Sequence, residues 1–237
     1  SNNNNNRYKW DNYFENAIKS NILCVWESGK ACSKLHQYLI ENSNDNTKQR
    51  LRAIDVGCGS GYNTQLLSQY YFSAAGLDIS RFALIKARLN MYQHYYNDNN
   101  NVDNNNVDLP SNIEFILGDL FNGKDMEKLN DMFHFLFDLQ VYHALRNLGE
   151  GKLVKAFAKL LVVGGYCMII CGDAGDAIEG QEKKVGPSTV SKFELIKAFS
   201  PYFDLISIEH EVFDTTASYK NFPCIVSVWK KRKVVIG

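Results

Sequence analysis

Four absences bound this chain of 237 residues before any motif is read. Net charge is missing, because 26 Lys and Arg stand against 26 Asp and Glu. No global field therefore draws the protein to nucleic acid, although a neutral total is compatible with a local basic groove. No apolar run reaches the roughly eighteen residues of a membrane-spanning helix, so no membrane partner is expected. C-x-x-C pairs are absent: Cys24, Cys32, Cys58, Cys167, Cys171 and Cys224 are spread along a chain too long to need a disulfide frame. Reduced thiols in a cytoplasmic protein are the simplest account. The histidines are scattered, so no zinc ligand set and no metal are expected. The polar run Asn2–Asn6 argues against a secretory signal at the amino end.

What is present fits an ordinary folded domain. The composition is 45% apolar and 22% charged, enough to core one domain with appendages at this length. Helical spacing is read over residues 8–20 and 30–41, where Leu35, Leu39 and Ile40 share a face. Short apolar runs then alternate with helices. Strands are expected at Arg52–Val56, Ala74–Ile79, Ile113–Asp119, Phe133–Leu139, Tyr166–Cys171, Leu205–Phe213 and Cys224–Lys230. Helices are expected at 62–70, at 80–96 with Ser80 as cap, at 152–163 ending on Gly164-Gly165, and at 188–199 behind Ser188 or Ser191. The alternation gives an α/β doubly wound sheet, and the last two strands, joined by a short connection, pair antiparallel. Asn97–Asp108 is nearly all Asn and Asp and cannot pack a core, so residues 97–111 read as a surface insertion.

The first strand runs into Asp55-Val56-Gly57-Cys58-Gly59-Ser60-Gly61, and a helix follows. Strand, glycine loop and helix build nucleotide-shaped sites. In a dinucleotide fingerprint the third glycine would fall at Tyr62, whereas here it is Gly61, and no lysine is present to hold a phosphate. This D-x-G-x-G-x-G spacing resembles the first motif of class I S-adenosylmethionine-dependent methyltransferases. Gly76-Leu77-Asp78-Ile79-Ser80, Gly118-Asp119-Leu120, and Phe137-Asp138 leading to His143 extend the resemblance over residues 50–232. It implies a Rossmann-like, mostly parallel seven-stranded sheet with an antiparallel last strand and helices on both faces. It also implies a methyltransferase enzyme with S-adenosyl-L-methionine as cofactor and S-adenosyl-L-homocysteine as product.

That ligand has a zwitterionic tail, two ribose hydroxyls and an adenine. Gly57, Gly59 and Gly61 let backbone approach the methionine end, with Cys58 a small residue tolerated between them. Asp55 favours an ammonium group near the loop. Asp78 can accept both ribose hydroxyls, with Ile79 beside it. Asp119 can accept from the adenine amine while Leu120 packs on the ring, and Asp138 ends the fourth strand where the reacting end is expected. Taken singly, each acid also reads as a turn residue or helix cap.

Val25-Trp26-Glu27-Ser28-Gly29-Lys30 and Gly186-Pro187-Ser188-Thr189-Val190-Ser191 are similar to segments of the thiopurine, thiol and halide methyltransferase branch. The resemblance implies that residues 1–50 form a helical lid over a catalytic domain at 51–237, and that Trp26 lies over the methionine end. An indole face attracts a sulfonium, though a core anchor reads equally from the residue. It also implies a small-molecule acceptor, with a thiol favoured and reached by in-line displacement. Asp138, Gln140, Tyr142 and His143 are the candidates near the reacting centre. His143 is read as a general base or an orienting residue, and Tyr142 as pocket lining. The polar segment from Gly172 to Pro187 is expected to face the acceptor, with Lys183, Lys184 and Thr189 meeting an anionic group or solvent. Lys230-Lys231-Arg232-Lys233 reads as a solvated strand end or a nucleic-acid contact. The alternatives are an RNA methyltransferase of the cap type and a non-catalytic cofactor-binding scaffold. No obligate protein partner is expected.

Overall fold

A computed structural model describes residues 2–24, 26–42, 50–98, 110–174, 189–214 and 222–233. The helices are α1 (Asn2–Lys19), α2 (Ser33–Asn42), α3 (Tyr62–Tyr70), α4 (Arg81–Asp98), α5 (Gly123–Met126), α6 (Val141–Leu160) and α7 (Lys192–Phe199). The strands are β1 (Arg52–Val56), β2 (Ser73–Asp78), β3 (Ile113–Leu117), β4 (Phe133–Leu139), β5 (Leu161–Gly172), β6 (Phe203–Val212) and β7 (Pro223–Lys231). They form one seven-stranded sheet in the order β3-β2-β1-β4-β5-β7-β6, the expected Rossmann-like fold. The chain divides into two compact units, Ser1–Asp119 and Leu120–Gly237. Most of the Asn-rich insertion lies outside the described residues, as do Lys183, Lys184 and Gly186-Pro187-Ser188.

In the first unit β1, β2 and β3 run parallel, with Asp55 opposite Gly76 and Asp78 opposite Leu117. Ala53, Ile54 and Val56 are fully buried, as a parallel strand covered on both faces requires. Each large apolar side chain so removed from water stabilises by roughly 1.5–3 kcal/mol. Helix α4 starts at Ser80, whose hydroxyl accepts the Ala83 N–H at 3.2 Å, and buries Leu84, Ala87 and Met91 at helical spacing. Helix α1 is bonded to its start, since Ser80 Oγ donates to Asp11 Oδ1 at 2.7 Å.

In the second unit β5 runs parallel to β4, and β7 is antiparallel to both β5 and β6. The core is aromatic: Phe133, Phe135, Phe137, Phe157, Phe203 and Trp229 are fully buried, and Trp229 stacks on Phe199 at 5.0 Å. Two boundaries depart from expectation. The helix expected over 152–163 begins at Val141, breaks at Gly149 (φ 152°) and ends at Leu160. Leu161-Val162-Val163 belongs to β5, where β-branched residues prefer extended backbone. Gly164 (φ 80°), read as a helix cap, instead lies in an irregular stretch of that strand, between the pairs Phe133–Leu161 and Phe135–Tyr166. Of the two expected caps of α7, Ser191 takes the role in a reciprocal capping box with Glu194. The basic run is largely satisfied within the unit. Lys231 is buried with its Nζ on Asp131 Oδ1 (2.7 Å) and the Leu161 carbonyl, and Arg232 Nε donates to Asp204 at 2.6 Å.

Candidate functional site

The sequence-expected cofactor residues of the first unit cluster at the carboxyl ends of β1 and β2. Asp78 Oδ2 accepts the Gly59 N–H at 3.0 Å, and its Oδ1 accepts the Ser80 N–H at 2.8 Å. The Ile79 backbone also favours the charged carboxylate, which keeps capacity for a further donor. Burial pushes this carboxyl up to about 6, against the opposing pull of the amide donors. Asp55 is 2% exposed and accepts the Thr64 hydroxyl at 2.7 Å. Burial pushes it up to about 7, with the Thr64 bond opposing and the Asp78 charge adding. Asp55 is therefore a buried neighbour of the loop, with Oδ2 engaged by Thr64.

The three loop glycines do different things. Gly57 is exposed. Gly59 (φ 50°) faces Glu27 Oε1 and Phe14, each 3.4 Å from where its Cβ would lie. A Cβ on Gly61 (φ 78°) would come within 2.8 Å of the Ala87 Cβ, so this glycine serves close packing of loop on helix. Cys58 points into the core cluster of Leu84, Ala87, Met91 and Phe115, and burial pushes its thiol well above the usual range. It is no nucleophile.

Trp26 is half-buried and meets Trp10, Tyr13 and Phe14 edge-on, with ring centroids 5.2–6.1 Å apart. Ile79 and Asp119 are partly buried at the ends of β2 and β3. The residue that the sequence reading missed is Glu27. Its Oε1 accepts the Ser60 N–H at 3.1 Å, and its Oε2 accepts the Cys24 N–H at 3.1 Å and pairs with Lys86 Nζ at 3.3 Å. The signal for it lies in the segment Val25–Lys30, where an acid follows the tryptophan.

In the second unit the expected residues at the end of β4 take structural roles. Leu120 is partly buried. Asp138 is fully buried, and its two oxygens accept the N–H groups of Val141 (2.7 Å) and Tyr142 (2.9 Å), capping α6. Gln140, at φ 73°, makes the turn between strand and helix. Tyr142 is fully buried, donates to Glu150 Oε1 at 2.7 Å and packs edge-on against Phe199, so it lines no open surface. His143 Nδ1 accepts the Gly172 N–H at 2.7 Å. Burial, with Arg146 adding, pushes its imidazole down to about 4. Two features of this unit went unread: Arg146 joins Glu150 and Glu194, and His210 Nδ1 lies 2.6 Å from Asp173 Oδ2.

A family model described as a methyltransferase domain matches residues 26–211. The chain belongs to this family. It is a methyltransferase, with S-adenosylmethionine as its cofactor. The fold is shared with solved structures at low identity. A SAM-dependent methyltransferase from Anabaena variabilis ATCC 29413 superposes with TM-score 0.64 at 18% identity, covering 94% of this chain and 93% of that one. A geranyl diphosphate C-methyltransferase from Streptomyces coelicolor A3(2) gives 0.59 at 12%, covering 84% and 77%. A structure described under the conversion of a disulfide bond into a thioacetal group during echinomycin biosynthesis gives 0.64 at 17%, covering 87% and 84%. No curated protein sequence matches the chain.

The methyltransferase's own residues fit its cofactor. Gly59 in the loop carries Glu27 Oε1 and Phe14 over its backbone, and Asp78 beside it has accepting capacity for a hydroxyl donor. Ser60 Oγ is buried without a hydrogen-bond partner among the described residues, which marks unspent polar capacity in the same loop. Among the described residues, no group of three or more His, Cys, Asp or Glu is placed to hold a metal ion, and no helix is long and apolar enough to cross a membrane.

Proposed function

We propose that this methyltransferase moves the methyl group of S-adenosylmethionine to a small-molecule nucleophile, with a thiol favoured. The observation that carries the cofactor half is the bond between Asp78 Oδ2 and the Gly59 N–H, which ties the acid at the end of β2 to the glycine loop. In this reading Asp78 accepts the ribose hydroxyls and Ile79 flanks them. The backbone of Gly57 and Gly59 admits the methionine end, and Asp119 accepts from the adenine amine. In this reading residues 1–50 form a lid with Trp26 over the methionine end, and Glu27 within that segment accepts the Ser60 N–H of the loop at 3.1 Å.

When bound, the cofactor supplies an electrophilic methyl on a sulfonium. The chain's part is to bind and orient. With Nδ1 accepting the Gly172 N–H, His143 carries its proton on Nε2 and is a donor and no base at neutral pH. Asp138 and Tyr142 shape the end of β4 without touching ligand. A thiolate acceptor needs little help from a base, in keeping with the buried, neutral histidine.

Two relatives in fold support a small acceptor by their descriptions. One acts on geranyl diphosphate, and the other concerns sulfur chemistry, the conversion of a disulfide into a thioacetal. The basic run that favoured RNA supports it less, since Lys231 and Arg232 are engaged within their own unit.

Calorimetric titration with S-adenosylmethionine, followed by product detection over a panel of thiols, tests the reading. Binding with turnover on a thiol is expected. No binding at millimolar cofactor would overturn the cofactor assignment, and turnover on hydroxyl or amine acceptors alone would overturn the thiol preference.

A further inference from the structure

We propose that Glu27 is the residue that binds the α-ammonium group at the methionine end of the cofactor. The assignment rests on the cofactor site read above and adds a residue to it.

An ammonium at the glycine loop is held more strongly by an anionic partner in contact than by backbone carbonyls alone. The loop's own acid is the less accessible one, because Asp55 is 2% exposed and its Oδ2 accepts the Thr64 hydroxyl in the core. Asp78 is committed to the Gly59 and Ser80 amides on one side and to hydroxyl donors on the other.

Glu27 is differently placed. Its Oε2 is held by the Cys24 N–H and by Lys86 Nζ, and Lys86 is itself fixed by the Ile22 carbonyl at 2.8 Å. This buried pair, with both side chains 9% exposed, fixes the orientation of the carboxylate. The other oxygen, Oε1, accepts the Ser60 N–H and lies 3.4 Å from the point where a Cβ on Gly59 would project. It therefore packs against the loop backbone at Gly59 beside Phe14, and it keeps one lone pair.

Charge supports the same assignment. Lys86 is a cation beside the loop, and an incoming ammonium without Glu27 would meet it unscreened. With Glu27 between them, one carboxylate is flanked by two cations, an arrangement that low local dielectric strengthens. The segment expected as a lid then contributes a ligand as well as cover.

The test is calorimetry on the full chain with two probes: S-adenosylhomocysteine, and its analogue with hydrogen in place of the α-ammonium. Glu27→Gln is compared with wild type. The double variant Glu27→Gln/Lys86→Met is included because the single change leaves Lys86 buried and unpaired. Melting curves verify that each variant is folded.

Both variants are expected to bind S-adenosylhomocysteine roughly tenfold to a hundredfold more weakly, the range for a hydrogen bond between charged groups. Affinity for the deaminated analogue is expected to change by less than about twofold. Equal losses on both probes would make Glu27 a structural support and overturn the assignment. Unchanged or tighter binding of S-adenosylhomocysteine would overturn it as well. Failure of the wild-type chain to bind S-adenosylhomocysteine would instead overturn the cofactor site itself.

Discussion

The N–H of Gly172 donates to Nδ1 of His143 at 2.7 Å, and this one bond decides what the histidine can do. A neutral imidazole whose Nδ1 accepts must carry its proton on Nε2. Burial and Arg146 keep the ring neutral, down to about 4. His143 therefore offers a donor at neutral pH, where the sequence alone allowed a base. The sign of the pH effect follows. Between its unfolded value near 6.5 and about 4 the unfolded chain binds a proton that the folded chain refuses. His143 thus lowers stability as pH falls through that window and leaves it unaffected above it. His143→Gln keeps an acceptor for Gly172 and removes the titration. Urea unfolding of the variant should lose less stability than wild type between pH 7 and 5. An equal loss in both proteins would show that His143 titrates alike in the folded and unfolded chains and refute its burial-lowered titration.

Asp78 predicts a pH effect of its own, on cofactor binding. A carboxylate accepts both ribose hydroxyls, whereas the protonated form turns one oxygen into a donor. Because burial holds Asp78 up to about 6, affinity for S-adenosylhomocysteine should fall as pH drops from 8 to 5.5. Stability moves the other way. Asp78 and Asp55 take up protons in the folded state well above 3.8, so their destabilisation is relieved as pH falls from about 7 toward 4. Asp78→Ala should cost about tenfold or more in affinity by calorimetry. An unchanged affinity would remove Asp78 from the ribose.

Much of this arrangement was legible because it is local. The D-x-G-x-G-x-G spacing, the acid at the end of each early strand and Ser80 before α4 are written in short windows, and the fold puts them where those windows imply. What was not legible depends on distant partners. Glu27 meets Ser60 across 33 residues and Lys86 across 59, and no spacing rule encodes that. Asp138 read as a ligand because a strand-end acid has two possible duties. Only the positions of the Val141 and Tyr142 amides show that it caps α6. The start of α6 was missed because Gly149 interrupts its helical pattern, and its end was misread because Gly164 imitates a helix cap.

The loop glycines should separate packing from binding. On Gly61 a methyl would meet Ala87 at 2.8 Å in left-handed backbone, so Gly61→Ala should destabilise by roughly 2–4 kcal/mol. On Gly59 the nearest atoms are 3.4 Å away, ordinary contact, leaving mainly the backbone penalty of roughly 1–2 kcal/mol. Gly59→Ala should instead lose cofactor affinity, because the methyl projects toward Glu27 Oε1 and Phe14 beside the loop. Melting curves and calorimetry on the two variants decide this, and a Gly61→Ala protein as stable as wild type would contradict the packing role.

Trp26 carries two readings that one comparison can part. It packs against a core cluster of Phe14, Ala17, Cys24 and Ala83 and meets three aromatic rings edge-on, as an anchor would. Over the methionine end its indole would also attract a positive sulfur, worth roughly 0.5–2 kcal/mol. S-adenosylmethionine has that charge and S-adenosylhomocysteine does not, while both share every other contact. Trp26→Leu should therefore weaken S-adenosylmethionine more than S-adenosylhomocysteine, by roughly twofold to thirtyfold in the ratio of dissociation constants. An anchor would lower both affinities alike and lower the melting temperature with them. A ratio unchanged from wild type would leave Trp26 in the packing role alone.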